Sequence, residues 1–458
     1  MKIQLFYRRC NTYVKGMMMR EQSEIENRLL LRSTSSRLLP VGRKKGLKNK
    51  KAIIIMALAF ILMATHAEGQ VKWKPLLKAV EFSERDFVDT IRVRIESGAV
   101  IVPVEIAGQE RHLLFDTGAE HGFWFGSQEE WMKPTDVDSA KWRDINDKTG
   151  AASVFKIPEM RMGNLGLSNY PVSVGGHLGD YICGRFDGLI GFDLVTKGLT
   201  VKFDTKDSLM ILTDRKGFFD EEAKGQPTVK YWLAKPTYPL VYVELPFGST
   251  YMLFDTGAVG HGVDLSNQAL AHWLKKEKKR ATIDSTTQLS DTTLNANIGL
   301  YGVHADTLLE RVVHLPTVQM GSLTVKDAYA SSANMSMLIG SALLKHASLI
   351  IDSAKKRYVF LPHDGSGDIT LNDKTSHSMR LVPTDSTGTL QAVVRKDSEA
   401  YRKGVRTGDM LIEADGIPID DVCTYTAIRQ RKKSGEEIHF LFRSPDGTEK
   451  RVAIARTE

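Results

Sequence analysis

The sequence predicts a mainly β protein of two like lobes, each a closed, barrel-like unit, followed by a small α+β domain. Three observations carry that reading. The string Leu113-Leu114-Phe115-Asp116-Thr117-Gly118-Ala119 returns 139 residues later as Met252-Leu253-Phe254-Asp255-Thr256-Gly257-Ala258. Strand-like segments follow each copy in the same order. After residue 362 the composition turns polar and then takes up a shorter apolar pattern of its own.

From the N-terminus, residues 1–51 hold 14 Lys and Arg against 3 Glu, a local charge of +11, so the remainder carries +7 − 11 = −4. The high isoelectric point therefore belongs to this leader and gives no support to a nucleic-acid partner. Thirteen apolar residues, Ala52 to Ala64, then precede Thr65-His66-Ala67 in a signal-peptide layout. The run is short of the roughly 20 residues that span a bilayer as a helix, so membrane association is expected only through this segment if it stays uncleaved. Residues 1–67 are read as basic leader and signal peptide, and 68–96 as an N-terminal segment.

Lobe one is expected over 97–214 and lobe two over 228–362. In each, an apolar strand and turn (Val100 to Gly108, Leu240 to Gly248) feed a second strand as a hairpin, and that strand delivers Asp-Thr-Gly into a tight turn. Downstream of Asp116 come Met162-Gly163-Asn164-Leu165, Leu189-Ile190-Gly191 and Val201-Lys202-Phe203-Asp204. Downstream of Asp255 come Met320-Gly321-Ser322-Leu323, Leu338-Ile339-Gly340 and Leu349-Ile350-Ile351-Asp352. A repeat of this length suits two half-domains and is too long for a solenoid. One Asp-Thr-Gly is as readily a plain turn. Two in the same context imply two carboxylates at one site, where like charges cannot both ionise easily and one acid and one base result.

Residues 97–362 resemble the pepsin-like and retropepsin-like aspartic peptidases, and Ala after each Asp-Thr-Gly is closer to the retropepsin-like branch. The resemblance implies that Asp116 and Asp255 are the catalytic pair. It implies that Thr117 and Thr256 cross-bond beneath them, that Gly118, Ala119, Gly257 and Ala258 complete the turns, and that Gly191 and Gly340 end the supporting strands. The hairpin flaps of the family are sought at Lys148, Thr149 and Gly150 in lobe one and at Tyr301 and Gly302 in lobe two. His121 and His261 follow the two motifs and are expected to line the turns, since paired carboxylates require no imidazole. No cofactor and no metal is implied.

Cys10, Cys183 and Cys423 fall in three different regions, so no disulfide framework or zinc spacing is expected. No P-loop, dinucleotide fingerprint, His-Glu-x-x-His or Gly-x-Ser-x-Gly elbow competes with the paired aspartates. Residues 363–378 read as a linker. Residues 379–458, with Gly404 to Ile412 and Ala414-Asp415-Gly416, resemble a bacterial PDZ domain. That resemblance implies a peptide-binding loop near Gly388, Thr389 and Leu390, which departs from the usual Gly-Leu-Gly-Phe.

The expectation is an exported, periplasmic or envelope aspartic endopeptidase, monomeric in its catalytic unit. A polypeptide is its substrate, and a peptide or protein is the ligand of its last domain. The alternatives are a non-catalytic peptide-binding protein and a PDZ scaffold on the same fold.

Overall fold

The computed structural model describes residues 73–456 apart from 144–148, 236, 335, 373–378, 384–388 and 397. The leader, its apolar run and Cys10 lie outside the described residues, as do Lys148 and Gly388. Among the described residues no helix is long and apolar enough to cross a membrane.

The protein is mainly β, with barrel-like sheets, and each lobe is wired the same way. In lobe one Ala99–Ile106 and Gln109–Phe115 form a hairpin closed by Ala107 (φ 52°) and Gly108 (φ 74°), a left-handed pair suited to a two-residue turn. Gln109–Phe115 lies parallel to Gly188–Ile190, which is antiparallel to Gly122–Phe125, and that strand runs parallel to Leu165–Gly175. Lobe two repeats the pattern. Tyr238–Leu245 and Gly248–Phe254 form the hairpin, Leu338–Ile339 lies parallel to its second strand, and Val263–Ser266 sits between that strand and Leu323–Asn334.

A shared sheet joins the lobes, because Thr200–Asp204 of lobe one pairs with Ala347–Asp352 of lobe two at Val201↔Ile351. Leu209–Thr213 and Val88–Arg92 extend it on one side, and Arg357–Pro362 and Thr228–Lys235 on the other. The Asp-bearing strands rest on it edge to face. Phe115 meets Phe203 at 5.1 Å between ring centroids, and Phe254 meets Phe360 at 5.7 Å. All four rings are at most 1% exposed. Each such burial stabilises by about 1.5–3 kcal/mol, so the sheet fixes both strand ends from beneath.

Two boundaries and one covalent link differ from the sequence reading. Residues 81–96 of the N-terminal segment belong to the sheets of the two lobes: Val88–Arg92 is an edge of the shared sheet, Arg94–Glu96 pairs with Ala99–Ile106, and Glu81–Phe82 pairs with Leu165–Gly175. Its signal is masked because an Asp takes an inward position. Asp89 is 8% exposed and accepts from the backbone N–H of Asn164 at 2.6 Å and from its Nδ2 at 3.1 Å. The 363–378 stretch is not all linker, since Asp368–Thr370 runs parallel to Leu323–Asn334, and Ile369 and Leu371 enter the main core. Isolated apolar residues in a polar string carry no periodicity to read.

The third difference is a disulfide between Cys183 and Cys423, with Cα atoms 5.2 Å apart across 240 residues of sequence. It ties the short helix Gly179–Ile182 of lobe one to the helix Val422–Arg431 of the C-terminal domain. Two lone cysteines in separate domains have no spacing from which a bridge could be inferred.

The C-terminal domain is a sheet in the order Met379–Pro383, Leu390–Val394, Met410–Ala414, Glu437–Arg443, Glu449–Ala455, with Ile417–Pro418 beside the third strand. The helices Glu399–Arg402 and Val422–Arg431 accompany it. Ser398 and Asp421 cap them by accepting the N–H of Tyr401 and of Cys423 and Thr424.

Candidate functional site

Each Asp-Thr-Gly turn begins where a buried strand ends, and the parallel neighbour holds it: Asp116 N–H donates to Ile190 O and Asp255 N–H to Ile339 O, both at 2.8 Å. The two turns then lock into each other. Thr117 Oγ1 donates to Phe254 O at 2.6 Å and accepts from Thr256 N–H at 3.0 Å. Thr256 Oγ1 donates to Phe115 O at 2.7 Å and accepts from Thr117 N–H at 3.0 Å. Both threonines are fully buried, so each hydroxyl satisfies two backbone groups that water cannot reach.

The glycines set how closely the lobes approach. A Cβ on Gly118 would stand 2.5 Å from Asp255 Cγ, and one on Gly257 would stand 2.4 Å from Asp116 Cγ. Each glycine is therefore the surface on which the opposite carboxyl lies. Gly191 and Gly340 act one layer out, where a Cβ would meet the His121 Cα at 2.5 Å and the His261 carbonyl oxygen at 2.4 Å.

Asp116 Oδ1 accepts from Gly118 N–H at 2.7 Å and Ala119 N–H at 3.1 Å. Asp255 Oδ1 accepts from Gly257 N–H at 2.9 Å and Ala258 N–H at 3.1 Å. Both residues keep a partial opening to solvent, as groups on a cleft floor do. Burial raises the Asp116 carboxyl well above the usual carboxylate range, and the charge of Asp255 and a hydrogen bond to it raise it further. Burial also raises Asp255, but its bond to Asp116, the two backbone N–H groups and the charge of His261 pull the other way. Both carboxyls are thus raised, as expected of like charges that cannot both ionise easily side by side.

The two flap candidates meet. Lys133–Arg143 and Thr149–Met162 make a long hairpin whose tip lies outside the described residues, with Thr149 and Gly150 just after it. Thr287–Gly299 and Gly302–Met320 make the lobe-two hairpin, turning at Leu300-Tyr301. A Cβ on Gly150 would stand 2.1 Å from Tyr301 Cε1, so that ring lies on the Gly150 backbone. His177 N–H donates to Leu300 O at 2.7 Å, and Leu300 packs on the apolar cluster that also takes Ala119 and Val259.

Leu390 is elsewhere. It is 1% exposed in the core of the C-terminal domain, because strand alternation turns Leu390, Ala392 and Val394 inward, so its side chain cannot line a ligand loop. Thr389 is half-buried beside it. The sheet ends on Met379–Pro383 at one side and on Glu449–Ala455 at the other.

Three groups beside the site escape sequence reasoning. Trp73, on the helix Trp73–Lys78, stacks on His121 with centroids 3.5 Å apart. Tyr170 OH donates to Asp193 at 3.2 Å and accepts from Gly191 N–H at 3.3 Å, and burial pushes the Asp193 carboxyl up to about 7. His261 Nδ1 bonds Asp264 Oδ2 at 2.6 Å. Only the last had a local signal, His and Asp three residues apart. Among the described residues no three His, Cys, Asp or Glu side chains are grouped to hold a metal ion.

No family model and no curated protein matches the chain. Among solved structures it is similar to the aspartic proteinase from Irpex lacteus, at 12% identity and a TM-score of 0.37, over 64% of this chain and 100% of that one.

Proposed function

We propose that this chain is an exported aspartic endopeptidase with a pepsin-like and retropepsin-like catalytic unit and a C-terminal PDZ-like domain. The observation that carries the reading is the pair of carboxyl groups, each on the other lobe's glycine and each accepting two backbone N–H groups. The ionised carboxyl of the pair takes a proton from a water as its oxygen bonds to the peptide carbonyl carbon. The protonated carboxyl donates a hydrogen bond and then its proton to the carbonyl oxygen as that oxygen gains charge. Collapse of the tetrahedral species breaks the C–N bond, the amine leaves with a proton, and the pair returns to its single-proton state. Both carboxyls come from one chain, which supports a monomeric catalytic unit.

The Cys183–Cys423 bridge supports export, because disulfides persist in oxidising compartments such as a periplasm. The terminal strands Met379–Pro383 and Glu449–Ala455 give the sheet edges of the kind to which a peptide adds as a further strand. The test is a mixed peptide library read by mass spectrometry, wild type against Asp116→Asn. Bonds cut by the wild type and spared by the variant support the reading. A wild type that binds peptides yet cuts none between about pH 3 and 8, the range in which a carboxyl pair can hold one proton, would leave the peptide-binding alternative.

A further inference from the structure

The lobe-two hairpin turns on two large apolar residues. Gly299 pairs with Gly302, which leaves Leu300 and Tyr301 as a two-residue turn, where Asn, Asp and Gly are the favoured residues. A leucine and a tyrosine bring no turn chemistry to a hairpin tip, and what they gain is burial against lobe one. The Tyr301 ring lies on the Gly150 backbone, and Leu300 packs on an apolar cluster of lobe one. Leu114 and Leu189 of that cluster come from the strand that delivers Asp116 and from its parallel neighbour, Phe123 from the strand beyond, and Ala152 from the lobe-one hairpin. Ala119 and Val259, just past the two Asp-Thr-Gly turns, pack on it as well. Lobe one is shaped to receive the tip. Gly176 has a φ of 78°, and a Cβ there would stand 2.6 Å from Leu300 O and 3.5 Å from Phe123 Cε1, so only glycine lets that carbonyl accept from His177 N–H at 2.7 Å.

An extended peptide laid across the two aspartates turns alternate side chains to one face, and a side chain passing Ala119 and Val259 meets the same cluster. Leu300 stands there first. We infer that the Leu300-Tyr301 tip is an internal plug: in the resting protein Leu300 fills an apolar side-chain subsite of lobe one beside the Asp116 turn, and a substrate enters by displacing it. The inference rests on the aspartic endopeptidase reading and adds to it a self-closed resting state. It also names the class of peptide that opens it, one with a leucine-like or aromatic side chain near the cut bond. Leu300 is only half-buried, so a side chain that buries more of its surface there outcompetes it. Only molecules with the tip out bind substrate, so the plug raises the apparent KM and leaves kcat at saturation untouched.

The experiment measures kcat and KM separately for the full chain carrying wild-type sequence, Leu300→Ala and Leu309→Ser, on a short peptide with leucine beside the cut bond. Leu309 lies on the same hairpin, 48% exposed, and serves as the control. Leu300→Ala should lower KM about three- to tenfold, the share of a leucine's burial that a half-buried side chain makes, with kcat held. Leu309→Ser should match the wild type in both. An unchanged KM in Leu300→Ala overturns the plug, and so does a fall in kcat of similar size, the mark of a lid that must close on bound substrate. Should the wild type cut no peptide, the endopeptidase reading fails on its own terms, and calorimetry with the capped peptide acetyl-Lys-Leu-Leu-Lys-amide still decides. Its Kd should be lower for Leu300→Ala than for the wild type by the same factor. Equal values, or binding by neither protein, overturn the inference.

Discussion

Lobe one and lobe two agree where the carboxyl groups are held and part company one layer below. The strand wiring, the threonine cross-bonds and the four N–H bonds to the aspartates come in matched pairs. Beneath lobe one lie Tyr170 and Asp193. Five residues after Leu323, as Tyr170 stands after Leu165, lobe two has Ala328, and two after Gly340, as Asp193 follows Gly191, it has Ala342. Both alanines are fully buried. A duplicated site thus keeps in both copies what holds the carboxyl groups, while each lobe fills its interior in its own way.

The largest expected effect lies in the part that is equal. Asp116→Asn and Asp255→Asn should each cost on the order of a thousandfold or more in kcat, since acid and base roles need both groups, and the double variant should be no worse. Thermal unfolding should show the folds intact. A single variant keeping a third of the rate would break the symmetry and place water activation elsewhere.

Next come Gly118→Ala and Gly257→Ala. The added carbon meets the opposite carboxyl at 2.5 and 2.4 Å, so the lobes must separate or the carboxyl must turn. Overpacking of this kind costs about 1–3 kcal/mol, and activity should fall with stability in both variants. A tolerated substitution in one lobe alone would show that only one turn sets the spacing.

A smaller effect tests the covalent link between lobe one and the C-terminal domain. Cys423→Ser frees the C-terminal domain from Gly179–Ile182 without touching either turn. Cleavage of a short peptide should change little. A long substrate should show a KM raised a few-fold, because a tethered second binding site raises effective concentration only when its geometry is held. Equal loss on both substrates would make the domain part of the cleft.

The paired aspartates, their glycines and the hairpins feeding them were legible because each rests on a local string that occurs twice. The strand Val88–Arg92 was not, since Asp89 breaks its apolar alternation and finds its partner 75 residues away at Asn164. The disulfide was not, since spacing informs only when cysteines cluster. Trp73 on His121 and Asp193 under Tyr170 are contacts between distant segments, and no window of sequence contains both members.

Asp193 gives the last and smallest effect on catalysis, and it sharpens the comparison most directly because lobe two has alanine at that position. Its carboxyl is 1% exposed and its pKa is pushed by burial from 3.8 to about 7. The folded state therefore keeps a proton that the unfolded chain releases near pH 4. Where the folded state binds more protons, stability falls as pH rises, so the contribution is whole below the unfolded value and lost by the time pH passes through the folded one. A shift of about three units corresponds to roughly 4 kcal/mol at most, spread over the interval from about pH 4 to pH 7. Asp193→Asn replaces the protonated acid by a neutral amide of the same shape, still able to accept from Tyr170 OH. The variant should match the wild type near pH 4, exceed it in unfolding free energy at pH 7, and keep an unchanged acid limb of kcat/KM, because Asp193 does not touch the pair. Denaturant midpoints measured at both pH values check this. A wild-type stability that does not decline across that interval relative to Asp193→Asn would mean that the carboxyl ionises freely where it lies, and that the polar pair beneath lobe one carries no proton linkage.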